Sequence, residues 1–360
     1  MLLTALVVFL IGFLIVIAVL LALSPGRPQP FLDPTGKPLA GSLSEKIFLG
    51  IGGVKQGLFL RSKDTTQPVL LYLHGGIPDY FLTPKYPTGL EDHFTVAWWE
   101  QRGSGISYSP DIPPETMALE QMIQDALEVT NYLRSRFGRE KIYLMGRSGG
   151  SFIGIQAAAR APELYHAYIG VGQISDQLRS ERMAYEYMLE RYKEQGNRAM
   201  AQRLEAAPVT DGTPAAYLRW RDKAMHELGV GTMRDMHSVA AGIFLPSLTC
   251  RAYTLREKIN MWRGKARSGV SSLWGEILAT NLAEKVPALD IPVYFFGGTY
   301  DYTVSTTLAK EYFGQLQAPL KGFYIFEKSA HSPIFEEPEK VQRILREDVL
   351  RGENGLADMK

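Results

Sequence analysis

Three runs in this 360-residue chain carry side chains suited to nucleophilic catalysis. In the first, the apolar Lys141-Ile142-Tyr143-Leu144-Met145 leads into Gly146-Arg147-Ser148-Gly149-Gly150, and the small-residue stretch Ser151 to Ala161 follows. A G-x-S-x-G sequence between a strand and a helix is a nucleophile elbow: the sharp turn lifts the serine hydroxyl clear of the sheet, and only small flanking residues leave room for it. The following helix places its positive end beneath the hydroxyl. Ser148 is therefore the candidate nucleophile. In the second run, Ile291-Pro292-Val293-Tyr294-Phe295-Phe296 breaks at Gly297-Gly298-Thr299-Tyr300-Asp301. A carboxylate at the end of a buried strand is costly unless something uses its charge. In the third, Gly322-Phe323-Tyr324-Ile325-Phe326 precedes Glu327-Lys328-Ser329-Ala330-His331. Of the six histidines, His331 alone follows the acid in a strand-to-helix loop. The order Ser148, Asp301, His331 makes His331 the base that takes the serine proton and returns it to the leaving group. Asp301 then fixes the imidazole tautomer and stabilises the imidazolium. Asp176, just after the run Ala167 to Gly172, is the alternative acid.

The developing oxyanion needs preorganised N–H donors. Gly149, immediately after the nucleophile, is one candidate. Gly76, at the end of Val69-Leu70-Leu71-Tyr72-Leu73-His74-Gly75-Gly76, is the other, with Ile77 as the fallback. His74 reads as a brace for that loop rather than a catalytic group.

Strand-like runs begin at Lys46-Ile47-Phe48-Leu49 and Gly57-Leu58-Phe59-Leu60 and continue with Val69 to Leu73 and Phe94 to Trp98. Leu119, Met122, Ile123, Ala126, Leu127, Leu133 and Phe137 recur at helical spacing, and Gly138 ends that helix. Strands alternating with helices predict an α/β fold with a doubly wound, mostly parallel sheet. From about residue 174 to 288 the alternation gives way to a long helix-rich stretch with Tyr185, Tyr187, Tyr192, Trp220, Trp262 and Trp274. Glu186 and Glu190 lie one helical turn apart there and read as a solvated face.

These features resemble the α/β-hydrolase superfamily over roughly residues 45 to 350, and within it the prolyl iminopeptidase branch. The resemblance rests on Leu73-His74-Gly75-Gly76, on the elbow with two trailing glycines, on Gly298-Thr299-Tyr300-Asp301, and on Trp98-Trp99-Glu100-Gln101-Arg102-Gly103-Ser104-Gly105-Ile106-Ser107. The last is similar to that branch's D-Q-R-G-x-G-x-S run. It implies that the helix-rich insertion is a cap that covers the serine, excludes water and selects substrates. Three features depart from the branch. Ile77-Pro78-Asp79 follows the glycines in place of Pro-Gly, and Gly149 replaces an aromatic residue after the serine. In the cap, Tyr217-Leu218-Arg219-Trp220-Arg221 is the nearest match to W-x-x-W-E, whose glutamate helps hold the substrate amine. Arg221 thus stands where a carboxylate is expected, which speaks against release of an N-terminal proline. Arg147, Trp220 and Arg221 are the candidate substrate-binding residues.

Met1 through Leu23 contain no charged side chain, and at 1.5 Å per residue that length crosses a hydrocarbon core of about 30 Å. No basic residue precedes the run and Pro25 spoils cleavage after Ser24, so an uncleaved anchor in the bilayer is expected over a signal peptide. Orientation stays open, with Arg27 and Lys37 after the span giving a bias towards a cytoplasmic catalytic domain. A net charge of +1 leaves no electrostatic footprint for nucleic acid. The single Cys250 excludes an intrachain disulfide and a thiolate metal cluster. No metal-binding HExxH spacing appears, and His226 and His237 read as local surface pairs with Asp222 and Asp235.

The expected organisation is an anchor (1–23), a Pro/Gly-rich linker (24–42), a first core part (43–173), a helical cap (174–288), a second core part (289–352) and a tail (353–360). The expected function is a membrane-anchored serine hydrolase that cleaves an amide or ester of a small molecule or peptide through an acyl-enzyme and needs no cofactor. A prolyl iminopeptidase-like aminopeptidase leads, a carboxylesterase or acylglycerol lipase is the alternative, and a noncatalytic binding protein of the same fold stands behind both.

Overall fold

The computed structural model describes residues 1–268 and 272–360. Its sheet contains β1 (Leu43–Ile51), β2 (Val54–Ser62), β3 (Val69–Leu73), β4 (Thr95–Glu100), β5 (Ile142–Arg147), β6 (Tyr165–Val171), β7 (Val293–Gly298) and β8 (Lys321–Phe326). Their spatial order is β1-β2-β4-β3-β5-β6-β7-β8. β1 and β2 run antiparallel to each other, as do β2 and β4, and the remaining pairs are parallel. The doubly wound α/β expectation therefore holds.

Side chains alternate across a strand, and here the alternation sorts residues into two cores. Val69, Leu71, Leu73, Ile142 and Leu144 share a core with α2 (Leu119–Phe137) and α3 (Gly149–Arg160). Leu70, Tyr72, Tyr143 and Met145 belong to the core on the other face. A sheet covered on both faces needs apolar side chains on both, and every residue of β3 is buried. Gly138 closes α2 in the left-handed conformation, at φ 60°, as its position predicts.

Between β6 and β7 lie α4 (Gln177–Glu194), α5 (Arg198–Glu205), α6 (Ala215–Glu227), α7 (Leu245–Thr249), α8 (Leu255–Ser268), α9 (Ser272–Ala279) and α10 (Leu282–Lys285). The first three of these share a small core of their own, built on Met188, Tyr192, Leu204 and Tyr217. Asp176 accepts a hydrogen bond from the Arg179 N–H at 3.0 Å and caps α4, so it is not the acid partner of His331. Glu186 and Glu190 are exposed on α4. Towards the C-terminus come α11 (Thr306–Gln315), α12 (Pro333–Glu336) and α13 (Pro338–Glu347). Asp358 and Met359 then bond along β8 and cover that sheet edge.

At the N-terminus, α1 (Leu2–Ala22) is long and apolar enough to cross a membrane, with mean hydropathy 3.3 over Thr4–Ala22 and none of that window buried. The stretch after it does not float free. The carbonyl of Gln29 accepts from Ser44 Oγ, Phe31 lies under the Arg61 guanidinium, and Leu32 bridges Pro38.

Glu100, at the end of β4, is buried. Its side chain accepts the Ile106 N–H at 2.6 Å and bonds the Tyr253 hydroxyl, which ties the sheet to the segment between α7 and α8. Burial pushes the Glu100 carboxyl up from 4.5 to about 8. The folded protein therefore holds a proton that the unfolded chain releases in that interval. This contribution is complete below 4.5 and is lost as pH rises through 8, at about 1.4 kcal/mol per pH unit at most. Glu100→Gln keeps the shape without the titration. The wild type should lose Tm relative to this variant between pH 5 and 8, as thermal unfolding across that range will show.

Candidate active site

Parallel strands deliver their carboxyl ends to one edge of a sheet, where open α/β folds place their sites. Four such ends meet here: Gly75-Gly76 follows β3, Ser148 follows β5, Asp301 follows β7 and His331 follows β8. Ser148 has φ 55° and ψ −126° and is the sole non-glycine residue with positive φ among the described residues. Strain of this kind costs on the order of 1–3 kcal/mol and persists only where the surroundings enforce it. The glycines show how. A Cβ on Gly150 would stand 2.2 Å from the Leu73 carbonyl oxygen, and one on Gly146 would stand 2.4 Å from that of Gly150. Ser151 Oγ donates to the Ser148 carbonyl at 2.6 Å and fixes the turn from within.

His331 Nδ1 lies 2.8 Å from Asp301 Oδ2, with both side chains almost fully buried. Asp301 Oδ1 accepts the Val304 N–H at 2.9 Å. A carboxylate partner makes Nδ1 the protonated nitrogen and leaves the Nε2 lone pair available. Nε2 is buried without a hydrogen-bond partner among the described residues. Ser148 and His331 both line one cavity of about 440 Å³. Gly172, at φ 53°, admits the imidazole: a Cβ there would meet His331 Cε1 at 2.7 Å. Glu336 on α12 holds the histidine loop from behind, accepting the N–H groups of Ala330 and Ser332 on either side of His331 and that of Arg234. Burial pushes its carboxyl up to about 7 against the pull of those three donors. Sequence reasoning missed both residues, and only the spacing of Glu336, one turn into a helix after His331, hinted at its role.

The loop after β3 passes directly over Ser148, since a Cβ on Gly75 would come 2.7 Å from Ser148 Cβ. Gly149 is the first residue of α3, so its N–H has no acceptor within the helix. His74 braces this loop through its own carbonyl, which accepts from Gln101 Nε2 at 2.7 Å, and through both ring nitrogens. Nε2 accepts the Gln101 N–H at 3.1 Å and Nδ1 donates to the Gly75 carbonyl at 2.7 Å. Burial lowers its pKa, in keeping with a neutral ring whose two nitrogens are both engaged.

Arg147 lines the cavity but spends its charge internally. Its Nη1 donates to Asp79 at 3.0 Å, its Nη2 donates to Ser332 Oγ at 2.6 Å, and Tyr72 donates to the second Asp79 oxygen at 2.7 Å. Arg147, expected to bind substrate, thus lines the cavity as a buried crosslink between Asp79 and Ser332. Arg221 likewise lines the cavity with its charge paired. It donates to both oxygens of the buried Glu181 at 2.6 and 2.7 Å, and Gln177 and Tyr217 donate to the same carboxylate. Burial alone would lower the Arg221 pKa, but Glu181, Tyr217 and Asp222 outweigh it and the group stays charged. Trp220 does not line the cavity; it stacks under Arg203 at 4.1 Å. Helix periodicity is the reason, because Leu218, Arg221, Asp222 and Met225 share the cavity face of α6 and residue 220 falls on the other side. Asp222 is the residue that reading missed. Its side chain is 56% exposed and lines the cavity. Burial would raise its pKa, but Arg221, Lys265 and His226 hold the carboxyl below its usual range. His226 is buried rather than superficial, between the Asp222 carbonyl and Thr232 Oγ1.

Residues 68–338 match the family model described as the alpha/beta hydrolase fold. The chain belongs to the α/β-hydrolase family. A probable aminopeptidase, YbaC of Bacillus subtilis, is 32% identical over 299 residues, covering 81% of this chain and 91% of its own. Among solved structures, a proline iminopeptidase from Mycobacterium smegmatis superposes with TM-score 0.59 at 15% identity, covering 85% of this chain and 98% of its own. VinJ superposes with TM-score 0.59 at 16% identity over 86% and 99%. These two share the hydrolase fold.

Breaking a buried ion pair by removing one partner costs about 3–5 kcal/mol, whereas replacing both with apolar groups costs far less. Arg147→Met should therefore lower Tm sharply, and Arg147→Met combined with Asp79→Leu should recover much of the loss. Thermal unfolding of the two variants beside the wild type measures it.

Proposed function

We propose that this α/β hydrolase is a membrane-anchored serine hydrolase, an aminopeptidase that opens the amide of a short peptide or aminoacyl substrate through an acyl-enzyme. The observation that carries the reading is the strained Ser148 backbone in one cavity with His331, whose Nδ1 pairs with the buried Asp301. In this reading Ser148 Oγ attacks the carbonyl as His331 Nε2 takes its proton, and the Gly76 and Gly149 N–H groups hold the oxyanion. His331 then protonates the departing amine, and water enters to release the acid. The anchor in this reading is α1, which carries the catalytic domain on a bilayer.

Asp222 supports the peptidase over other hydrolases. The charge of Arg221, which argued against binding a substrate ammonium, is shared between Glu181 and Asp222, which accepts from its Nη1 at 3.0 Å, so the two carboxylates outnumber it and the exposed Asp222 lines the cavity. The aminopeptidase name of the Bacillus subtilis relative favours the same reading. A carboxylesterase or acylglycerol lipase is the second reading, favoured by the apolar wall of Phe81, Leu82, Ile153, Ile243 and Trp262.

Two variants test these roles. Ser148→Ala should abolish labelling by a phosphonate probe and lower kcat by a factor of at least about a thousand; a chain that never labels is a noncatalytic binding protein. Asp222→Asn should raise KM for prolyl and alanyl anilides about tenfold to a hundredfold, the worth of one charge-assisted hydrogen bond, and leave acyl-ester cleavage unchanged. Anilide turnover that survives N-acetylation, or ester turnover without any anilide turnover, would replace the aminopeptidase with the esterase.

A further inference from the structure

Outside α1, the exposed large apolar side chains among the described residues are Leu32, Phe48, Phe244, Leu245 and Ile259. Three of these cluster on the α7–α8 hairpin. Phe244 and Ile259 border a shallow surface dimple with Leu248, Trp262 and Ala266, and Leu245 stands beside it at 53% exposure. The Phe244 and Trp262 rings lie 5.2 Å apart, and Trp262 Nε1 donates to Ser247 Oγ, which locks the two helices together. Such a patch on a soluble surface is a liability unless something covers it.

The same hairpin receives the end of α1. Lys258 is fully buried, and its Nζ donates to the Leu23 carbonyl at 2.8 Å, to Ser24 Oγ at 2.9 Å and to the Leu248 carbonyl at 2.6 Å. The Gly26 and Arg27 N–H groups both donate to the Arg251 carbonyl, and a Cβ on Gly26 would meet Thr254 Cγ2 at 2.5 Å. Ile259 is the next residue after the lysine that grips the last turn of the apolar helix. Arg263 borders the same dimple, and the exposed Arg251 and Arg256 lie within a few residues of it in the chain. Exposed apolar side chains with arginines close by suit the boundary between acyl chains and anionic headgroups.

We propose that Phe244, Leu245 and Ile259 rest in the surface of the bilayer that α1 crosses, making the α7–α8 hairpin a second, interfacial contact of the catalytic domain with its membrane. This rests on reading α1 as a membrane span. The same hairpin walls the catalytic cavity from its other side with Ile243 and Trp262, so the contact sets how the site lies against the lipid.

The test uses the full chain with Cys250→Ser, reconstituted in mixed phosphatidylcholine and phosphatidylglycerol vesicles that carry nitroxide-labelled lipid. Single cysteines at Ile259→Cys, Ile11→Cys and Glu190→Cys bear an environment-sensitive fluorophore. Strong quenching is expected at 11 from nitroxides deep in the chains and at 259 from nitroxides near the headgroups, with little at 190. Quenching at 11 alone, with 259 behaving as 190 does, overturns the interfacial contact and leaves the anchor standing. A blue-shifted but unquenched probe at 259 overturns it in favour of a second copy covering the patch. An unquenched probe at 11 overturns the anchor and the contact with it.

Discussion

The Arg147 guanidinium lies in the nucleophile elbow itself, buried where an unpaired charge would cost several kcal/mol. Its partners are therefore obliged to stay within reach. One is Asp79, in the loop that passes over Ser148, and the other is Ser332, immediately after His331. The residue next to Ser148 thus fixes the separation of the two loops that flank it. One departure from the prolyl iminopeptidase pattern, the Asp79 that follows the paired glycines, and the Arg147 before the serine turn out to be one feature. Each would be a buried, uncompensated charge alone.

The insertion between β6 and β7 is bound into the same machinery. Gly231 accepts the His331 N–H, Thr232 accepts from Ser332 Oγ, and Arg234 donates to Glu336. On the acid side, Gln177 bonds the Thr303 carbonyl and Tyr187 stacks on Tyr302 at 4.0 Å. The cap therefore reaches both the histidine loop and the acid loop. Moving it would disturb their hydrogen bonds, so the insertion and the placing of His331 and Asp301 draw on one set of contacts.

How far the sequence was legible follows from the range of each signal. Ser148, Asp301 and His331 are marked locally: each ends an apolar strand in a small-residue turn, and parallel topology then carries the three ends to one edge. The α2 boundaries and the left-handed Gly138 are equally local. The cap residues were misread because a motif match names positions but not faces. Aligning Trp220 and Arg221 with a tryptophan-glutamate pair ignored that residue 220 lies across the helix from 218 and 222. The charge of Arg221 was read without its partner, because Glu181 sits 40 positions earlier on a different helix. Gly172 carries no local mark of its purpose either, since the imidazole it admits arrives from residue 331.

The segment after α1 shows the same limit in composition. Proline and glycine between 24 and 42 read as a linker, a composition that does not say whether the stretch is free or docked. Lys258 and Arg251 seize the chain within a few residues of the last apolar turn. Prolines that hold backbone extended serve a docked strap as well as a free linker, and what separates the two is whether the polar groups along it find partners. Here the Gln29 carbonyl and the Gly26 and Arg27 amides all do. A domain held so close to the end of its apolar helix has little freedom to choose which face it turns to that end. The sequence of the hairpin that meets it is then constrained twice, as a wall of the cavity on one side and as the neighbour of the apolar helix's end on the other.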